Sequence, residues 1–242
     1  MANKHIQVAH HSYTINYEII NQNLENCMLI LHGWGANKEI MKKAFASHLS
    51  KFKQIYVDLP GFGSSPLDHP LDTKDYAAIT KEFLQAINQN PDFIMGHSFG
   101  GKVATLLEPK NLILLSTAGI VTQKPFLVRL KIAIFKMLKK LGFGKFYSLF
   151  ATKDVAGMSK IMYETLKNVV DEDFRDIFAN TSSKTLIFWG EGDRATSLRS
   201  GETISRLIKG SQFFPLSGDH FFFLLHAKFI SGVIGSEVGE TC

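Results

Sequence analysis

Apolar and polar positions follow two rhythms along this chain. Short apolar runs at residues 28–31, 54–58, 92–95, 111–115, 184–189 and 211–215 read as buried strands. Between them the apolar positions fall at helical spacing. Residues 37–50 form one such stretch, and residues 98–107, rich in small side chains, form another. A third, residues 72–90, carries Tyr76, Ile79, Phe83, Leu84 and Ile87 on one face. Strands alternating with helices predict an α/β fold, a mostly parallel central sheet flanked by helices on both faces. Residues 5–22 alternate differently, as an antiparallel hairpin at one edge of the sheet would.

The interval between the strands at 115 and 184 breaks this rhythm. A crossover needs roughly 15–25 residues, so an excess of about 45 predicts an insertion. That divides the chain into a core at 1–121 and 182–242 and an inserted helical cap at 122–181. Within the cap, residues 128–141 read as an apolar helix studded with lysine, closed by Gly142 and Gly144. Helices are also expected over 161–170 and 171–178.

Composition narrows the setting. The chain has 242 residues, 45% hydrophobic and 20% charged, which suits one large globular domain with an insertion. No apolar run reaches the ~18 residues of a membrane span, and the first ten residues lack the apolar stretch of a signal peptide. Cys27 and Cys242 make no disulfide framework, so the expected location is cytoplasmic. The remaining histidines, among them His5, His10, His11, His48, His69 and His226, lack companions at metal-ligand spacing. No metal and no cofactor are expected.

Chemistry concentrates at Gly96-His97-Ser98-Phe99-Gly100, set between a strand and a helix. A serine in the middle of G-x-S-x-G sits on a sharp strand-to-helix turn. The turn lifts the hydroxyl clear of the backbone and aims a helix N-terminus at it, which suits a nucleophile that generates an oxyanion beside itself.

A serine hydroxyl needs a base, and the base needs an orienting carboxylate. Each is expected at the C-terminal end of a later strand. Phe188-Trp189-Gly190-Glu191-Gly192-Asp193 runs from an apolar strand into a Gly-rich loop, making Asp193 the carboxylate candidate and Glu191 the fallback. Leu216-Ser217-Gly218-Asp219-His220 follows the last strand and opens an apolar helix, making His220 the base candidate. Asp219 is expected to cap or face solvent. The oxyanion hole is expected from the amide of Phe99 and from that of Trp34 in Leu31-His32-Gly33-Trp34-Gly35. His32 is expected to hydrogen-bond that loop rather than act as a second base.

Together these motifs resemble the α/β-hydrolase superfamily, over nearly the whole chain. The carrying strings are H-G-W-G from His32, D-L-P-G-F-G from Asp58, G-H-S-F-G-G from Gly96, G-E-G-D from Gly190 and G-D-H from Gly218. His32 to Asn37 with the D-L-P-G-F-G string is similar to pimeloyl-carrier-protein methyl ester esterases. The chain is also similar to meta-cleavage-product hydrolases, which cleave a carbon–carbon bond in 2-hydroxy-6-oxo-dienoates. It departs from the family at Ser197, where proline is frequent, and at Asp219, where glycine is usual. Phe221 stands where the carbon–carbon hydrolases place tryptophan. A serine at 98 rather than aspartate argues against dehalogenase and epoxide hydrolase chemistry.

The expected function is a serine hydrolase that cleaves a carboxylic ester or related carbonyl substrate through Ser98, His220 and Asp193 and an acyl-enzyme. The alternatives are carbon–carbon hydrolysis by the same three residues and a ligand-binding protein without catalysis. Net charge is +5, and between Lys124 and Lys145 seven basic residues stand with no Asp or Glu: Lys124, Arg129, Lys131, Lys136, Lys139, Lys140 and Lys145. They either face water or meet an acidic acyl carrier protein or an anionic membrane surface. Ile132, Phe135, Met137, Leu138, Phe143, Phe146 and Phe150 line an apolar slot or pack the lid. The expected substrate is a small molecule or acyl compound, and no nucleic acid is expected as partner.

Overall fold

The computed structural model describes residues 1–121 and 158–239. The lysine-rich helix expected at 128–141, most of the apolar and basic positions assigned to the cap, and Cys242 lie outside the described residues.

Eight strands form one sheet. They are β1 (Ala2–Val8), β2 (His11–Ile20), β3 (Cys27–Leu31), β4 (Lys53–Val57), β5 (Phe93–His97), β6 (Asn111–Leu115), β7 (Lys184–Gly190) and β8 (Gln212–Leu216), in spatial order β1-β2-β4-β3-β5-β6-β7-β8. The β1–β2 pair is antiparallel, as the alternation at the start of the chain predicts; the β2–β4 pair is antiparallel as well, and every later pair is parallel. Helices α1 (Lys38–Phe45), α2 (Thr73–Ala86), α3 (Phe99–Leu106), α4 (Lys160–Val169), α5 (Arg175–Ala179), α6 (Leu198–Leu207) and α7 (Phe223–Gly239) connect or follow the strands.

Both faces of the sheet are covered, and strand periodicity sorts the side chains. Leu29, Leu31, Ile55, Ile94, Leu112, Leu114, Ile187 and Trp189 pack with α2, α3 and α6 on one face. Met28, Ile30, Tyr56, Met95, Ile113, Leu115, Leu186 and Phe188 pack with α1 and α7 on the other. β3 and β5 are buried along their whole length, which is why they read as unbroken apolar runs.

Helix ends differ from the periodicity where local chemistry intervenes. Asp72 caps α2 in a capping box with Asp75, fixing its start. The helix expected over 37–50 stops at Phe45. The carbonyls of Ala46 and Leu49 turn instead toward the Gln54 amide, which donates to them at 3.3 and 2.8 Å. The helix expected over 171–178 is shortened to α5, because Glu172 is drawn away to partners on two other elements.

Between β6 and β7 the described residues contain α4 and α5. The Thr165 hydroxyl accepts from the Leu71 amide at 3.2 Å, and Asn168 donates to the Leu71 carbonyl at 3.2 Å. α4 therefore rests on the chain that follows β4, beside the parallel strands' C-terminal ends.

Candidate active site

The parallel strands end where the loops carry the chemistry. β5 ends at His97, and Ser98 turns the chain with φ +51° and ψ −114°, in the left-handed half of backbone space that a serine rarely occupies. Three hydrogen bonds hold the Ser98 carbonyl, from Gly101 N at 3.1 Å, Ala118 N at 3.1 Å and the Thr117 hydroxyl at 3.0 Å. Its amide donates to Leu115 O at 3.0 Å. Glycine is required at both flanks: a Cβ at Gly96 would strike the carbonyl of Gly100, and one at Gly100 would lie 2.5 Å from the carbonyl of His32. Ser98 itself is half-buried and Phe99, the first residue of α3, is buried.

Asp193 lies beyond the end of β7, with its carboxylate withdrawn from solvent. Ala195 N and Thr196 N donate to Oδ1 at 2.8 and 2.9 Å. His220 Nδ1 donates to Oδ2 at 2.7 Å. The Thr196 hydroxyl stands 2.8 Å from the same Oδ2 and 3.0 Å from the Ser116 carbonyl, with one proton for the two. Burial alone would raise the Asp193 carboxyl. The hydrogen bonds from His220 and Thr196 outweigh it and hold the carboxyl down at about 2. A carboxylate fixed in this way selects the His220 tautomer protonated at Nδ1 and leaves Nε2 with a free lone pair. Glu191 is exposed, and Asp219 Oδ1 accepts from Phe221 N at 2.8 Å, closing the turn that presents His220.

His97 joins this pair to the serine turn. Its ring centroid is 4.6 Å from that of His220, and its Nε2–H donates to the His220 carbonyl at 2.9 Å. Thus Asp193 and His220 are hydrogen-bonded, and His220 is fastened to the residue immediately before Ser98.

The loop after β3 carries Trp34. The Trp34 ring meets Phe99 edge-on at 5.6 Å and Phe62 at 4.9 Å, so the two residues expected to offer oxyanion amides are in contact. His32 is fully buried with both nitrogens engaged: Nδ1–H donates to Gly33 O at 2.8 Å and Nε2 accepts from Leu59 N at 3.1 Å. Burial pushes it down to about 4, so it is a neutral tie between two loops. Asp58 and Lys38, both buried, brace the same loops. Asp58 Oδ2 accepts from Lys38 Nζ at 2.8 Å and from Ser64 N at 3.0 Å.

A model of the alpha/beta hydrolase family matches residues 28–230. The chain belongs to this family. Membership places this alpha/beta hydrolase among hydrolase enzymes, with its mostly parallel sheet as the shared scaffold. It is 42% identical over 98 residues to a pimeloyl-[acyl-carrier protein] methyl ester esterase of Shewanella woodyi, an alignment covering 39% of this chain and 34% of that protein. It is 25% identical to the enzyme of the same name from Neisseria meningitidis serogroup A over 88% of this chain and 79% of that one. Among solved structures it resembles an esterase from Exiguobacterium antarcticum, with a TM-score of 0.76 and 22% identity over 98% of this chain and 100% of that chain. A meta-cleavage product hydrolase from Pseudomonas fluorescens shares the fold of this alpha/beta hydrolase, with a TM-score of 0.73 and 16% identity over 99% and 98% of the two chains.

Four residues at the site carry too little signal in the sequence to be singled out. Thr196 carries no mark in the sequence, because hydroxyl residues fill many loops. Asp58 opens the D-L-P-G-F-G string and Lys38 directly follows Asn37, yet nothing in the spacing pairs them. His97 was visible inside G-H-S-F-G, but its partner is a main-chain carbonyl, which carries no sequence signal.

Proposed function

We propose that this alpha/beta hydrolase cleaves carboxylic esters through a covalent acyl-enzyme. Ser98 attacks the ester carbonyl. His220 Nε2 takes the serine proton and passes it to the departing alkoxide. Asp193 holds the Nδ1 proton and stabilises the imidazolium that forms. The amides of Phe99 and Trp34 receive the developing oxyanion. Water, activated by the same His220, then releases the acid and restores the serine.

The observation that carries this reading is the 2.7 Å hydrogen bond between His220 Nδ1 and Asp193 Oδ2, fastened through His97 to a serine at φ +51°. A purely structural histidine would not need a desolvated carboxylate supplied with four donors. The substrate class follows from the surroundings and the relatives. Trp34, Phe62 and Phe99 give the oxyanion loop an apolar wall suited to an acyl chain. The related enzymes named as carrier-protein methyl ester esterases make a methyl ester of a carrier-bound acyl chain the first substrate to test. Residues 122–181 are proposed as a cap over the site, in keeping with the seat of α4 on the chain after β4.

The test is labelling with a fluorophosphonate together with turnover of p-nitrophenyl esters of graded chain length. Wild-type protein is expected to hydrolyse the esters and to carry the label on Ser98, and Ser98→Ala to do neither. Ester turnover that survives in Ser98→Ala, or a wild-type protein inert to label and esters alike, would reject the proposal.

A further inference from the structure

Buried polar groups in this fold are nearly all paired. Among the described residues, His97 Nδ1 is one of three buried side-chain polar atoms with no hydrogen-bond partner. A ring that leaves half of its hydrogen-bonding capacity unmet, in a place where an apolar side chain would fit, calls for a physical reason.

The surroundings are apolar and tight. His97 is 1% exposed. Phe223 lies 4.8 Å from it and Phe221 5.5 Å, centroid to centroid. On the far side Gly33 brings bare backbone against the unpaired nitrogen: a Cβ there would stand 2.8 Å from Nδ1. A phenylalanine or methionine would fill this nest without stranding a lone pair. What neither supplies is the Nε2–H, whose acceptor is the carbonyl of His220, 123 residues away in the chain.

We propose that His97 is a positioning residue, whose Nε2–H holds the His220 peptide carbonyl and so sets the height of the His220 imidazole over the serine turn. The inference rests on reading Ser98 and His220 as nucleophile and base. The side chain of His220 is steered at one end by Asp193 at 2.7 Å, with the Thr196 hydroxyl 3.4 Å from the same nitrogen, but contacts at Nδ1 alone leave the ring free to swing with its backbone. The carbonyl anchor removes that freedom. Because His97 immediately precedes Ser98, the same residue sets the position of the nucleophile's own backbone. Nucleophile and base are thus referred to one rigid point at the end of β5.

The anchor must also stay neutral. The titratable groups facing His97 are His220 and Asp193 from the loops after β8 and β7, and His32 from the loop after β3. Phe221 and Phe223 present no charge. Burial, then the neighbouring His220, push His97 down to about 3. A neutral ring does not repel the imidazolium that His220 becomes during attack.

Two variants separate this role from simple packing. His97→Gln places an amide N–H close to where Nε2–H stands; His97→Met fills the space and donates nothing. The expected result is a kcat for His97→Met reduced by about 10–100-fold with KM little changed, the range that misplacing a reacting group by a fraction of an ångström to one ångström produces. His97→Gln is expected to recover to within about threefold of wild type. Proton NMR supplies a readout that needs no turnover: the strongly downfield resonance of the His220 Nδ1–H···Asp193 hydrogen bond, sharp in wild type and His97→Gln, should broaden or disappear in His97→Met. Thermal melts identify any variant that fails to fold. Wild-type kcat and an unaltered resonance in folded His97→Met would overturn the proposal, as would equal damage in the two folded variants. If wild-type protein proves inert to esters and fluorophosphonate, the resonance still decides whether His97 positions His220.

Discussion

Lys102 Nζ lies 2.5 Å from Glu172 Oε2, and this pair ties the helix that follows the serine turn to the chain returning toward β7. Lys102 is 2% exposed and has two further contacts. It donates to Val169 O at 2.7 Å and sits over the Phe174 ring at 4.5 Å. Glu172 also accepts from the Thr73 amide at 3.4 Å and from the Thr73 hydroxyl, so one carboxylate collects the starts of α2 and α3.

The two halves of this pair are not equivalent, and that gives a prediction. Glu172→Ala leaves an ammonium group buried with one carbonyl and an aromatic face. Lys102→Met leaves a carboxylate still hydrogen-bonded by Thr73 and reached by water, since its side chain is 26% exposed. Loss of one partner from a fully buried pair costs about 3–5 kcal/mol, and the partial exposure of Glu172 lowers the expectation for Glu172→Ala to about 2–3 kcal/mol. Lys102→Met is expected to cost less than half as much. Urea unfolding of the two variants checks the order; a larger loss for Lys102→Met would show that the ammonium, not the carboxylate, is the better-compensated charge.

This network also marks where the sequence stopped being readable. The strands, the edge hairpin and the two-faced core follow from apolar periodicity, because each strand's pattern reports how many of its faces are buried; the order in which the strands lie side by side does not. Asp193 and His220 could be singled out as candidates because a base and its carboxylate are particular residue types expected at strand ends, and the structure brings the two within 2.7 Å. Lys102 and Glu172 could not: helical spacing tells that Lys102 is on a helix, but not that a carboxylate 70 positions later will neutralise it. Glu172 falls in the first turn of the helix expected over 171–178, and tertiary hydrogen bonds draw it out. His97 stands inside the G-H-S-F-G motif, and only the fold reveals that a carbonyl from another loop stands against it.

The four donors around Asp193 predict graded effects. Asp193→Asn keeps the shape but replaces an acceptor with a donor opposite Nδ1–H, which reverses the His220 tautomer. A loss in kcat of about 10⁴-fold is expected by analogy with serine-protease triads. Thr196→Val removes only the hydroxyl, whose one proton is shared between Asp193 and the Ser116 carbonyl, and it leaves the Thr196 amide in place. The expected cost is about 1 kcal/mol of transition-state stabilisation, or about fivefold in kcat. Steady-state kinetics on one ester substrate for both variants would test the ranking.

Acid should destabilise the fold well above the range in which carboxylates titrate. His32 and His97 are held neutral by burial, down to about 4 and about 3, whereas in the unfolded chain they protonate near 6.5. Below pH 6.5 the unfolded state therefore binds protons that the folded state refuses. Stability falls as pH falls, by up to about 1.4 kcal/mol per pH unit for each ring. Asp193 works in a separate window. Its depressed value contributes stability that is complete above about 4 and is lost only as pH falls toward about 2. Denaturant melts at pH 7, 6 and 5 should show the histidine slope, and His97→Gln should flatten it by the share of one ring. A stability profile level from pH 7 to 5 would contradict neutral burial of these two histidines.

Ser98 should be less stable in its place than the residue that ends the chemistry. Its φ of +51° with ψ −114° is a conformation in which a Cβ is strained, at about 1–3 kcal/mol for such positions, and glycine alone adopts it freely. Ser98→Gly removes that strain but adds backbone freedom to the unfolded chain, worth about 0.4–1 kcal/mol in the opposite sense. The difference leaves an expected net gain of about 1 kcal/mol. The same substitution removes the proposed nucleophile, so the stabilised variant should hydrolyse no ester and take no fluorophosphonate. Ser98→Ala separates the two effects, since alanine keeps the Cβ and its strain while losing the hydroxyl. It should be as inactive as Ser98→Gly but no more stable than wild type. Thermal and urea melts of the three proteins decide the matter. Equal stability of the glycine and alanine variants would mean that the turn is held without strain, and that the left-handed backbone at this position has no bearing on how the serine is presented.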